Sequence, residues 1–197
     1  MAKKTKKVIN VQPLRTKEEI EEMKLAIKRG NKGTSKRMEL AERDILIFLL
    51  GINTGLRVND LVKLKVEDVK GKQAFFIKEG KTRKNRKVNI AMLAGEIERY
   101  THERDSEEYL FPSQKGDNHL STTQVYRILE SAGDFLGRED IGTHTMRKTF
   151  GYHHYKQFKD VAILQEIFNH SSPSITKRYI GIRQDEIDKS LAGFRLG

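Results

Sequence analysis

Cysteine is absent from this chain of 197 residues, and with it go disulfides, thiolate nucleophiles and thiolate metal sites. Its absence is compatible with a reducing cytoplasm. Hydrophobic residues are scarce, at 37%, whereas charged residues reach 33%. The longest apolar run, Ile45 to Ile52, covers only about two helical turns, far short of a membrane span. The basic N-terminus has no apolar stretch behind it, so it is not a secretory signal. Also missing are a Gly-rich Walker loop, a paired Asp-x-Asp and any Cys/His zinc spacing, which removes the usual sequence signs of nucleotide- or metal-driven chemistry. No repeat recurs along the chain, and its length suits one domain with a real core.

What is present is positive charge, unevenly placed. The net charge is +11; residues 1–100 hold 25 Lys and Arg against 13 Asp and Glu, whereas residues 101–197 hold 13 against 14. Basicity gathered into part of a domain is the footprint of a polyanion partner. No amphipathic helix with a bulky apolar face accompanies the lysines, so nucleic acid fits better than a membrane surface.

Residues 1–15, with Lys3, Lys4, Lys6 and Lys7, lack periodicity and read as a mobile basic tail. Thr16-Lys-Glu-Glu19 is a capping box, and Ile20, Met23, Ala26 and Ile27 mark one face of the helix it opens. A second helix, about Ser35 to Asn53, carries Met38, Ala41, Ile45, Phe48, Leu49 and Ile52 as core. After Gly55 a short helix covers about Asn59–Leu64. The period then changes: Val66–Val69, Gln73–Lys78 and Lys87–Ile90 read as a small three-stranded antiparallel sheet. Helices resume at about 91–104, 121–136, 143–158, 160–168, 172–179 and 184–191. The fold class expected is mainly α with that small sheet, in one domain over 16–197.

Six residues can together serve phosphodiester attack: Arg57, Lys81, His144, Arg147, His170 and Tyr179. Two guanidinium forks can neutralise a phosphate by paired hydrogen bonds. A Lys at a basic turn can give a proton to the leaving oxygen if neighbouring cations lower its pKa. Six of the ten residues from Lys78 to Lys87 are basic, so Lys84 and Lys87 compete with Lys81 for that task; Gly80-Lys81-Thr82 best fits a tight turn. A Tyr hydroxyl has a reference pKa of about 10 and needs a base or positive charge beside it. Each residue alone has a plainer reading. His-x-x-Arg can merely order a helix surface, Arg57 can cap a helix and Tyr179 can be a packed aromatic. His153 and His154, adjacent on a helix, diverge by about 100° and make a poor metal pair. No metal site and no cofactor is expected.

The boxes Thr54-Gly-Leu-Arg57, His144-Thr-Met-Arg147 and His170-Ser-Ser with Tyr179 resemble those of the tyrosine recombinases, or phage-integrase family, from roughly Thr16 to Leu191. The resemblance implies a catalytic domain in which the hairpin between the second and third expected strands carries the catalytic Lys. It implies that Tyr179 attacks to give a 3′-phosphotyrosyl link and a free 5′-hydroxyl. Arg57 and Arg147 then clamp the phosphate, Lys81 is the general acid, His144 takes the tyrosine proton and His170 supports the phosphate. The ester keeps the energy of the broken linkage, so rejoining needs neither ATP nor metal. Asp60 is a supporting acid where the family often has Glu, Asn169 replaces a frequent Gly, and Lys148 stands where His is frequent. Candidate DNA contacts are Lys78, Arg83, Lys84, Arg86, Lys87 and Lys148.

The family's N-terminal core-binding domain is not expected within residues 1–197, which fits either a short recombinase or the catalytic domain of a longer one. The tail at 181–197, with Ile187, Leu191 and Phe194 as an apolar stripe, is expected to dock in trans on a neighbouring subunit, with docking on its own domain as the plainer reading. Expected partners are double-stranded DNA, further copies in a tetrameric synapse formed from free monomers, and accessory DNA-bending proteins. The setting is a prokaryotic cytoplasm, on the nucleoid, with the chain encoded by a cell, phage or mobile element. A type IB topoisomerase and a DNA-binding module without cleavage are the alternatives.

Overall fold

The computed structural model describes residues 10–30, 35–78, 80 and 85–196. Helix α1 (Lys17–Gly30) starts where the capping box puts it, with the Thr16 hydroxyl accepting from the Glu19 amide at 3.1 Å. Glu19 reaches back one residue further than expected, to the Arg15 amide at 2.5 Å. Helix α2 (Ser35–Thr54) is the spine of the core, burying Leu46, Ile47, Phe48 and Leu50. Met38, expected in that core, is instead exposed and lines an open groove with Leu25 and Phe135.

Two short helices follow, α3 (Val58–Leu61) and α4 (Val66–Val69). The second corrects the expected sheet, because Val66–Val69 is a helical turn and not a strand. Val66 and Val69 are both buried, which one helical face allows and alternating strand faces forbid. Asp68 fixes the turn by accepting from the Lys65 amide at 2.8 Å. Among the described residues the sheet therefore has two strands, β1 (Ala74–Lys78) and β2 (Asn85–Asn89). They are antiparallel, with Phe75 opposite Val88 and Ile77 opposite Arg86 on one face, and Phe76 opposite Lys87 and Lys78 opposite Asn85 on the other.

The second half is helical. A 3₁₀ turn (Ala91–Leu93) leads into α5 (Ala94–Thr101), and α6 (Thr122–Phe135) is capped by the Ser121 hydroxyl. Helix α7 (Thr143–Phe158) precedes α8 (Val161–Phe168), α9 (Pro173–Tyr179) and α10 (Ile182–Ala192). Asp160 and Ser172 cap α8 and α9 through their side chains.

Residues 10–15 are not a loose tail. They form a strap against α7: Leu14 is fully buried, its amide donates to Thr149 Oγ1 at 2.9 Å, and its carbonyl meets His153 Nε2 at 3.0 Å. The Gln12 amide donates to the Asp140 carbonyl at 2.9 Å, and Arg15 pairs with Asp185 of α10. Val11, Pro13 and Leu14 were the apolar signal, but three residues are too few to show a period. Residues 1–9 lie outside the described residues.

Two apolar clusters result. The larger runs from α1 and α2 through the sheet to α6 and Met146. The smaller joins Tyr152, Tyr155, Leu164, Phe168, Ile180 and Ile182, with Tyr179 packed on its edge. Helices α2 and α7 cross closely between them. A Cβ on Gly51 would lie 2.5 Å from Met146 Sδ, and one on Gly55 would run into the Phe150 ring. Gly55 also has φ +64°, a conformation that costs an L side chain energy. Gly55→Ala is expected to lose about 2 kcal/mol of stability and to lower the melting temperature by roughly 4–8 °C, measured by thermal and urea unfolding.

Candidate active site

Four segments meet where the two clusters touch. Arg57 leaves the left-handed Gly55 turn and sits at the start of α3, with extended backbone. His144, Arg147 and Lys148 project from the first turns of α7. His170 follows Asn169, whose φ of 53° closes the C-terminus of α8. Asn tolerates that conformation, so it serves where the family often has Gly. Tyr179 ends the seven-residue helix α9.

Arg147 is buried. Its guanidinium donates to the Gly55 carbonyl through Nη1 and to the Phe168 carbonyl at 3.2 Å through Nη2, and stacks over the Phe168 ring at 4.4 Å. Arg57 reaches the same Phe168 carbonyl at 3.5 Å. Two cations from distant parts of the chain thus converge on one acceptor, which also brings the end of α8 into register. Convergent, rigidly held guanidinium forks suit a phosphate.

His144 Nδ1 lies 3.1 Å from the Tyr179 hydroxyl, with the two rings edge to face. The His170 ring stands 5.1 Å from the Tyr179 ring, while its Nδ1 lies 3.0 Å from Thr176 Oγ1. That hydroxyl also lies 3.3 Å from the Ser172 carbonyl, so it bridges the imidazole and the main chain of its own helix. Nε2 is left for other work. Burial pushes the Tyr179 pKa above the ordinary phenol value, while the charges of Arg147 and Arg57 and a hydrogen bond from Arg147 pull it down. At neutral pH the hydroxyl is therefore protonated, and His144 is placed to accept its proton.

The described residues contain five of the six residues proposed from the sequence, and these five come together. Lys81 lies outside them, as do Arg83 and Lys84. Asp60 stands at the foot of the hairpin. It is buried, its Oδ1 accepts from the Gly80 amide at 3.1 Å, and its Oδ2 has no hydrogen-bond partner among the described residues.

The phage integrase family model matches residues 15–186. The chain belongs to the phage integrase family, the tyrosine recombinases. The probable integrase/recombinase YoeC of Bacillus subtilis is 47% identical over 176 residues, covering 89% of this chain and 92% of that protein. XerA of Pyrococcus furiosus is 34% identical over 154 residues, covering 76% of this chain and 54% of that protein. In structure, XerH in a post-cleavage complex with its difH substrate aligns with a TM-score of 0.67 at 26% identity, over 85% of this chain and 48% of that one. A crystal structure of a XerA recombinase gives 0.68 at 19% identity and shows the shared fold. The chain thus spans nearly all of YoeC but about half the length of XerA and XerH.

Two of the recombinase's proposed DNA contacts are engaged inside the domain. Arg86 lies on the inner face of the hairpin and donates to the Thr54 carbonyl at 2.6 Å. Strand alternation from buried Val88 held that clue. Lys148 Nζ donates to the Val11 carbonyl at 2.6 Å and stands 5.3 Å from the centre of the Tyr179 ring. Burial lowers its pKa. Lys78 and Lys87 are exposed on the outer face, beside Phe76. His153 is held by Leu14, and His154 lies among the Phe150 and Phe158 rings. Sequence reasoning missed Thr176, though its place one turn before Tyr179 was visible. It also missed the Gly55 and Phe168 carbonyls, which have no side-chain signature. In Arg57→Gln, which removes one lowering charge, the Tyr179 phenol should titrate at higher pH than in the wild type. Tyrosine absorbance near 295 nm during alkaline titration, with Tyr179→Phe as the blank, checks the sign.

Proposed function

We propose that this protein is a site-specific recombinase that cuts and rejoins double-stranded DNA through a 3′-phosphotyrosyl intermediate. The observation that carries the reading is His144 Nδ1 at 3.1 Å from the Tyr179 hydroxyl, beside two guanidiniums that share one carbonyl. Tyr179 oxygen attacks phosphorus as its proton passes to His144. Arg57 and Arg147 stabilise charge on the non-bridging oxygens, and His170 adds a hydrogen bond from Nε2. The bond to the 5′-oxygen breaks, and that oxygen takes a proton from Lys81. Reversal by a 5′-hydroxyl from another strand rejoins the DNA, with no net bond energy lost. Asp60 holds the hairpin root from which Lys81 works.

Lys78 and Lys87 contact phosphate, helped by Arg83 and Lys84, so binding weakens steeply with salt. Assembly on DNA uses the C-terminal tail. The first turn of α10 is anchored in its own domain by buried Ile182 and by Asp185 on Arg15. Further on, Ile187, Leu191 and Phe194 are exposed by 41%, 64% and 66%, an apolar stripe suited to a neighbouring subunit of a tetrameric synapse. Accessory DNA-bending proteins fit the same assembly, on the nucleoid of a prokaryotic cell. The DNA-bound XerH neighbour and the integrase/recombinase name of YoeC support the reading.

A nicked suicide DNA substrate should trap an SDS-resistant adduct with the wild type and none with Tyr179→Phe. Lys81→Ala should slow adduct formation by about a hundredfold or more while binding changes little. If Lys84→Ala does so instead, the general acid is misassigned. Relaxation of arbitrary plasmid DNA by monomers would move the reading to a topoisomerase. Binding without any adduct would leave a DNA-binding module.

A further inference from the structure

Lys148 follows Arg147 on α7 and lies one turn beyond His144. Both Lys148 and His144 address Tyr179, one at the ring and the other at the hydroxyl. The ammonium stands 5.3 Å from the ring centre, within the range where a cation is attracted to an aromatic face. It is half-buried, so water screens it little. Its stem could swing to many positions, but the Val11 carbonyl holds the ammonium at 2.6 Å. Val11 is itself placed, since the next amide donates to the Asp140 carbonyl at 2.9 Å and the Leu14 amide to Thr149 Oγ1 at 2.9 Å. A side chain held at both ends in this way is poorly placed for a phosphate in the groove.

We propose that Lys148 is a positioning residue for the nucleophile: clamped by the strap of residues 10–15, it holds the Tyr179 ring and favours its phenolate. A cation over the ring attracts the electron-rich phenolate more than the neutral phenol, so it acts in the same direction as Arg57 and Arg147. Among the described residues, His144 and His170 are the other ionisable groups against the ring, and Val11 of the strap adds a carbonyl and no charge. The strap thereby sets the reactivity of a residue 168 positions along the chain from Val11. This rests on Tyr179 being the nucleophile.

The test uses the full chain with Lys148→Met, which keeps the stem, and Lys148→Arg, which keeps the charge. In ¹³Cζ-tyrosine-labelled protein without DNA, the Tyr179 signal should titrate at higher pH in Lys148→Met than in wild type, and near the wild-type pH in Lys148→Arg. On suicide DNA, Lys148→Met should form the adduct about tenfold more slowly, with the rise of rate against pH displaced upward and Lys148→Arg restoring most of the rate. Dissociation constant and salt dependence should be unchanged in both. Thr149→Val, which loosens the strap, should slow the wild type but add little in Lys148→Met. Unshifted titration and pH profiles overturn the proposal. So does a salt dependence reduced by about one phosphate contact, which would make Lys148 a DNA ligand. If the wild type forms no adduct, the proposed function falls, whereas the titration, read without DNA, still reports whether Lys148 acts on Tyr179.

Discussion

A single guanidinium sunk between two main-chain carbonyls ties the structure together. Arg147 joins the Gly55 turn at the end of α2 to the Phe168 end of α8, and it does so from α7, which lies between them. A buried cation is costly unless its hydrogen bonds are met, and here rigid backbone acceptors meet them. Those acceptors fix the turn that presents Arg57 and the corner that presents His170. The demand travels back into the packing, because α2 can approach α7 only where Gly51 and Gly55 carry no side chain. Charge placement and helix crossing are thus one constraint.

The same reasoning explains what could be read from the amino acids. Helices were legible because their caps and apolar periods agree: Ser121, Asp160 and Ser172 stand one residue before α6, α8 and α9, as side-chain caps should. The three boxes were legible because they combine rare residue types at fixed spacing. Val66–Val69 misled because two valines in four residues suit a strand by composition. Only their shared burial, a tertiary fact, reveals the helix. Arg86 misled by charge, although it stands two residues before buried Val88 and so shares its inward face, opposite Ile77. The strap at 10–15 was illegible in principle, since its hydrogen bonds go to Asp140, Thr149 and His153, far along the chain.

Electrostatics divides the labour around Tyr179. Burial holds the phenol neutral, while the charges of Arg147 and Arg57 lower the cost of losing the proton. The histidines differ in their bonds. His144 faces the hydroxyl directly, whereas His170 turns Nδ1 to Thr176 and keeps the opposite nitrogen.

The two apolar clusters carry a further consequence. Tyr179 packs on the edge of the smaller one and His170 against its Phe168 ring, whereas Arg57 stands between Leu56 and Val58 of the larger. Segments with fewer buried apolar contacts open locally at lower free energy than the rest of a domain. Loosening of Leu164, Phe168, Ile180 and Ile182 would carry the tyrosine out of reach while most of the domain kept its shape. Damage confined to that small cluster would thus reach the placement of the tyrosine before it reached the larger core.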